Sequence, residues 1–146
     1  MITPVSDLID QVSDLFKVDV EALAEYFENV GSTAEHIKQN MSHFSSWIHE
    51  LATEVRELST ISMMIERKLV NFRYHDRTAW HYFTKIENNY VLYINDIIQK
   101  MKEEYQRAGP YNLDPSFIQR YLDEIIIKAQ EAIKLIRKAI KDRAFE

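Results

Sequence analysis

A chain of 146 residues is long enough for one domain with its own core, and two glycines and three prolines are too few for the turns of an all-β fold, so an all-α fold is expected. The chain contains no cysteine, which excludes a disulfide framework, a thiolate nucleophile and cysteine-ligated zinc. The net charge of −5 is unevenly spread: residues 1–60 hold three Lys/Arg against eleven Asp/Glu, residues 61–102 seven against four, and residues 103–146 eight of each.

Three segments are expected within a single helical domain: short acidic helices over 1–31, a long helical region over 32–108, and a C-terminal helix over 114–146. Thr3–Pro4 reads as a cap followed by a first-turn proline, and Val5, Leu8, Ile9, Val12, Leu15 and Phe16 follow at helical spacing. Asp19 is positioned to cap a second short helix carrying Ala22, Leu23, Tyr26 and Phe27, with Val30–Gly31 as its end. Ser32 and Glu35 then form a capping-box pattern.

The next stretch carries a heptad seam. Ile37, Met41, Phe44, Ile48, Leu51, Val55, Leu58, Ser62, Ile65, Leu69 and Phe72 alternate by four and three, with Ser62 the one polar break. A period of 3.5 favours knobs-into-holes packing. A helix over 33–75 would be about 64 Å long and would need a partner, either another helix of the chain or another subunit. Asp76 either caps a new helix or lies within a continuing one. Phe83, Ile86, Tyr90, Ile94, Ile97 and Met101 keep the spacing until Gly109–Pro110, the firm break. Asp114–Pro115 repeats the cap-plus-proline start. The last helix carries Ile125, Ile126, Ile127, Ile133, Ile136 and Ile140, apolar on more faces than one neighbour needs, which points to a subunit interface.

Residues 67–85 stand out. They hold Arg67, Lys68, Arg73, Arg77 and Lys85 against one acid, Asp76, interleaved with Phe72, Tyr74, Trp80, Tyr82 and Phe83. Positive charge attracts a phosphate backbone and flat rings stack on bases, so the island suggests a single-stranded nucleic-acid contact. The plain alternative is that the rings are core and the cations solvate a helix edge. No phosphate-cradling glycine loop and no Gly-x-Ser-x-Gly elbow occur. His36 and His43 share a helix face, but no Glu-x-x-His pair of a di-iron bundle is present. Enzyme readings thereby reduce to histidines and carboxylates, and no metal site or cofactor is expected. No apolar run reaches membrane-spanning length, and the N-terminus lacks the pattern of a signal peptide.

Three stretches carry a family resemblance. Val18–Asp19 followed by Leu23 comes first, Phe44–Ser45–Ser46–Trp47–Ile48 leading to Arg67–Lys68–Leu69 and Arg73–Tyr74 second, and Ala132–Ile133–Lys134 with the tail Ala139 to Glu146 third. Together they resemble the UvsY-like recombination mediators of T4-type phages. His75–Asp76–Arg77–Thr78 departs from the Ser/Thr-Gly that usually follows the family's tyrosines. The resemblance implies a non-enzymatic homo-oligomer in the cytoplasm of an infected bacterium, acting in DNA recombination and repair. Such a protein holds single-stranded DNA, contacts the phage single-strand-binding protein and helps load the recombinase. Arg67, Lys68 and Arg73, with Tyr74 and Arg77 beside them, match the DNA-contacting segment. The closing helix from Ile133, with Ile136 and Ile140, matches the segment implicated in assembly, and the over-apolar run adds Ile125 and Ile126 as assembly candidates. The rival reading is a helical coiled-coil structural or adaptor protein with no nucleic-acid role; a helical metalloprotein is a weaker third.

Overall fold

The computed structural model describes residues 5–72, 77–109 and 112–145, with side chains over 17–71, 77–109 and 112–145. Helix α1 spans Val5–Gln39 and a 3₁₀ turn, Met41–His43, leads into α2, Phe44–Phe72. Helix α3, Arg77–Ile86, passes through a π turn, Glu87–Val91, into α4, Leu92–Ala108; α5 spans Pro115–Lys141. Backbone angles stay helical at Ile86, Val91 and Leu92, so α3, the π turn and α4 form one rod. The described chain is thus all-helical, with four helical rods and no strand.

Cross-helix pairs fix the topology. Thr33 meets Glu54 and Asp19 meets Lys68, so α1 and α2 run antiparallel. Ser62 meets Glu87 and Phe44 meets Tyr105, so the α3–α4 rod returns along α2. Tyr82 meets Asp142 and Tyr93 meets Glu124, so α5 reverses again. Glu28 meets Arg137, closing α5 onto α1. The result is an up-down-up-down four-helix arrangement.

The heptad seam is inside it. Ile37, Phe44, Ile48, Leu51, Val55, Leu58, Ser62, Ile65 and Leu69 are all buried, with Met41 packed against the core. The helix expected over 33–75 is nevertheless two helices. The chain turns at Asn40, whose backbone (φ −132°, ψ 59°) leaves the helical region and whose side-chain amide donates to the His36 carbonyl at 3.2 Å. Both sides of the turn face one core, so the apolar period runs through a bend without registering it. The expected break at Gly31 is absent, and the two short N-terminal helices are one helix. An added Cβ at Gly31 would sit 3.3 Å from the Ala129 Cβ, so this glycine serves close approach of α1 to α5 and not termination. Ala34, Ala132 and Ala139, all fully buried, extend the supply of small side chains.

Ser62, the polar break, is 1 % exposed and donates to Glu87 Oε2 at 2.7 Å. Beside it Asn95 donates to Ser59 Oγ at 2.6 Å and to the Val91 carbonyl at 3.0 Å. The π turn lies in this polar layer, which fixes the α2–α4 register. The Asp114–Pro115 start forms as expected: the Asp114 carboxylate accepts from the Ser116 amide at 3.0 Å and Pro115 opens the helix.

Between α1 and α2, Glu54 accepts from the Thr33 hydroxyl at 2.9 Å through Oε1, while Oε2 is buried with no partner. Burial raises the Glu54 pKa; the Thr33 hydrogen bond opposes this and the neighbouring Glu50 and Glu57 add to it. A folded-state pKa above the unfolded one favours the protonated form on folding. That stabilisation is full below the unfolded pKa and is lost as pH rises through the folded one. Glu54→Gln keeps an acceptor for Thr33 and removes the charge. It should melt above the parent protein at pH 7, with the gap closing as pH falls into the ordinary carboxylate range; a gap independent of pH would refute this.

Candidate nucleic-acid interface

The bundle topology brings together stretches far apart in sequence. The end of α2, the start of α3 and the end of α5 share one end of the bundle, with α1 running past it. Antiparallel pairing requires this, and Asp19–Lys68 and Tyr82–Asp142 mark it. Arg67, Arg77, Lys85, Lys134, Lys138 and Lys141 are exposed there and form no ion pair among the described residues. Arg137 is exposed and pairs with Glu28 at 3.2 Å.

The sequence-derived DNA-contact residues divide. Arg67 and Lys68 are successive on α2, about 100° apart around the helix. Arg67 points to solvent, and Lys68 turns to α1 and pairs with Asp19; the two side chains are only 28 % and 14 % exposed. Arg77 is exposed in the first turn of α3. Arg73, Tyr74 and the question of a helix break at Asp76 lie outside the described residues.

The aromatic half of the island is used for packing. Phe83 is 4 % exposed, and Trp80 leans on it edge-on with ring centroids 6.1 Å apart. The Tyr82 hydroxyl donates to Asp142 Oδ2 at 2.6 Å, a bond that raises the tyrosine pKa. These three rings hold α3 against the bundle. His81 is exposed beside Tyr82.

The isoleucines of α5 divide as well. Ile125 and Ile136 are fully buried in the subunit's own core, and Ile126, Ile133 and Ile140 are half-buried against it. Ile125 and Ile136 are thus accounted for within one chain, while Ile126, Ile133 and Ile140 keep part of their surface outside it. Ile127 is the outward member, 52 % exposed. Sequence spacing could not separate these, because the helix touches both α1 and the α3–α4 rod and so buries a wide arc.

The end of α5 shapes the site. Arg143 adopts a left-handed conformation (φ 57°), and the Ala144 amide reaches back to the Ala139 carbonyl at 3.0 Å. This helix stop folds Ala144 and Phe145 into the core, each 3 % exposed, and leaves Lys138 and Lys141 in the last turn. Among the described residues, no group of three His, Cys, Asp or Glu could hold a metal ion, and no helix is long and apolar enough to cross a membrane.

Fold and site together define a four-helix arrangement with a cation-rich end on an acidic chain. Comparison with protein-family models, curated proteins and solved structures finds no match.

Proposed function

We propose that the protein is a non-enzymatic single-stranded-DNA-binding subunit, and that it serves as a recombination mediator. In that role it self-associates, engages single-strand-binding protein on DNA and helps a recombinase replace it, in the cytoplasm of a phage-infected bacterium. The observation that carries the reading is the gathering of exposed cations from α2, α3 and α5 at one end of an acidic chain. Local field within about 10 Å, not total charge, governs phosphate attraction at ordinary salt. The mediator role and the partners rest on the family resemblance of the three sequence stretches. Repetition of this end in a homo-oligomer would convert a few modest contacts into high avidity.

A second reading, a helical adaptor without a nucleic-acid role, draws support from the packing: Lys68 is held by Asp19, and three island rings are tied into the subunit. Fluorescence polarisation separates the two. Labelled oligo-dT should bind at low salt more tightly than duplex of equal length, with affinity falling steeply as salt rises. Arg67→Ala with Arg77→Ala should weaken binding and flatten the log–log salt slope by about 1.4, or ~0.7 per single-strand phosphate contact. Absence of binding to either form at 25 mM salt would leave the adaptor reading standing. Solution mass measured alongside tests self-association.

A further inference from the structure

We infer that the outer face of α2 is a two-fold docking surface for a second copy of this chain, with Met64 of each copy seated in the groove that the other holds between α1 and α2. The inference rests on the self-association in the reading above and is independent of its nucleic-acid part.

The outer faces of the bundle differ in kind. Helix α1 turns Glu21, Glu25 and Glu28 to solvent, and α5 turns out Lys134, Lys138 and Lys141. The outer face of α2 over residues 53–71 has no free lysine, since Lys68 is turned to α1. Its two arginines, Arg56 and Arg67, balance Glu57 and Glu66. It also holds three of the seven large apolar side chains exposed among the described residues: Met63 at 51 %, Met64 at 44 % and Val70 at 54 %. Methionine and arginine without lysine is the composition of a protein contact and not of a solvated face.

Beside Met64 the surface is hollow. A shallow groove of about 260 Å³ runs between α1 and α2, lined by Tyr26 on α1 and by Glu57, Thr60, Ile61 and Met64 on α2. The bonds of Glu54 to Thr33 and of Lys68 to Asp19 mark the α1 flank of α2, and those of Ser59 with Asn95 and Ser62 with Glu87 mark the opposite flank, toward the α3–α4 rod. At about 100° per residue, Met64 and the groove lie toward α1, and Met63 and Val70 lie toward the rod.

A two-fold axis can pair two α2 helices in two ways. Parallel pairing sets the α1 flank of one copy against the rod flank of the other, so Met64 meets no groove. Antiparallel pairing sets α1 flank against α1 flank, so methionine and groove meet twice. The register follows from the seat. Met64 lies over the groove when it faces Thr60 of the second copy. Arg67 is three residues beyond Met64, and Glu57 is three residues before Thr60, each about 4.5 Å along its helix. The register that seats the methionine therefore brings Arg67 onto Glu57 of the second copy. Neither residue carries an ion pair within the subunit among the described residues. Two seated methionines with an arginine–carboxylate pair at each end make this face complementary to itself. Arg77, Lys85 and the α5 lysines, on other helices, take no part in it.

The test is the solution mass of the full chain, by light scattering at micromolar concentration and without nucleic acid. The parent protein should be a dimer or a multiple of one. Met64→Lys should weaken association about tenfold or more while circular dichroism shows the parent helicity. Arg67→Glu and Glu57→Arg should each do the same, and Arg67→Glu/Glu57→Arg should regain the parental mass, because the exchanged charges meet again. Within one helix the two residues are about 15 Å apart, so only a second copy can supply that rescue. The chain has no cysteine, so Met63→Cys carries one thiol, placed by this register about 3 Å along the helix axis from its counterpart. It should form a disulfide-linked dimer on air oxidation, and Glu103→Cys, exposed on α4, should not. A monomeric parent overturns the inference together with self-association. Parental mass in Met64→Lys, with mass lost in Ile127→Asp, overturns this surface alone and moves the contact to α5. Failure of the exchanged pair to recover, with Met63→Cys left unlinked, overturns the register and the inference with it. Oligo-dT binding is read separately on the same samples, so the nucleic-acid reading can fail while this contact stands.

Discussion

Ile136→Asp should unfold the subunit, not release monomers from an assembly. The sequence alone places Ile136 on an assembly helix, where a charge would split subunits. In the structure its side chain is fully buried among α5's neighbours in the same chain. A carboxylate there would be cut off from solvent. It loses the transfer free energy of a buried isoleucine and adds the desolvation of an unpaired charge. The cost is about 4 kcal/mol or more, against a total stability of about 5–15 kcal/mol for such a domain. Circular dichroism should show collapsed helicity or a melting transition lowered beyond 10 °C. Ile127→Asp is the control. Ile127 is 52 % exposed, so the change should cost within about 0.5 kcal/mol in an isolated subunit. Any drop in solution mass in that variant would place Ile127 at a subunit contact. A folded Ile136→Asp protein of reduced mass would show that the residue faces a partner and would refute the single-chain account.

The helical class was legible because composition and period agree. Scarce glycine and proline, a seam from Ile37 to Leu69 with Ser62 its one polar member, and the Asp114–Pro115 cap all survive in the structure. Boundaries were less legible, for a physical reason. A glycine reads as a stop when its conformational freedom is used. Gly31 is used for its missing side chain: a Cβ there would lie 3.3 Å from the Ala129 Cβ, on a helix nearly a hundred residues away in sequence. Asn40 ends α1 between the first two members of a regular seam, Ile37 and Met41, because two antiparallel helices presenting the same core can carry one period across their turn.

The candidate site was legible as a charge anomaly and illegible as a surface. The island at 67–85 is visible in the sequence, but α2 and α3 turn its members in different directions. Phe83 goes into the core, Tyr82 to α5, Lys68 to α1, and Arg67 and Arg77 to solvent. The α5 lysines are unremarkable in sequence, since basic residues in a last turn commonly answer the helix dipole. Only the return of α5 beside α3 brings them to the same end of the bundle as Lys85.

Lys68 is the residue whose two readings collide, and its partner distinguishes them. Asp19 belongs to the acidic first segment, and its carboxylate holds the Lys68 ammonium across 49 residues of sequence. Lys68→Met removes the cation and leaves Asp19, 14 % exposed, with its charge unanswered. The expected loss is about 1–2 kcal/mol, below the ~3–5 of a fully buried pair because solvent still reaches both groups. Asp19→Asn acts differently. The lysine stem is long enough to carry its ammonium out to water, so stability should fall less, and one more cation is freed beside Arg67. On the nucleic-acid reading, Asp19→Asn should therefore bind oligo-dT about threefold more tightly at low salt, with a salt slope steeper by about 0.7. Lys68→Met should melt lower than Asp19→Asn while binding no more weakly than the parent, since its cation is already occupied. The pair Lys68→Met/Asp19→Leu should regain most of the lost stability, because an apolar contact can replace an ion pair that both partners leave together. Equal melting of the two single variants, together with parental binding by Asp19→Asn, would show that the pair neither anchors α1 to α2 nor screens Lys68 from a strand. If Lys68→Met instead loses binding to the same degree as Arg67→Ala, Lys68 reaches phosphate in the complex, and Asp19 is displaced when the strand arrives.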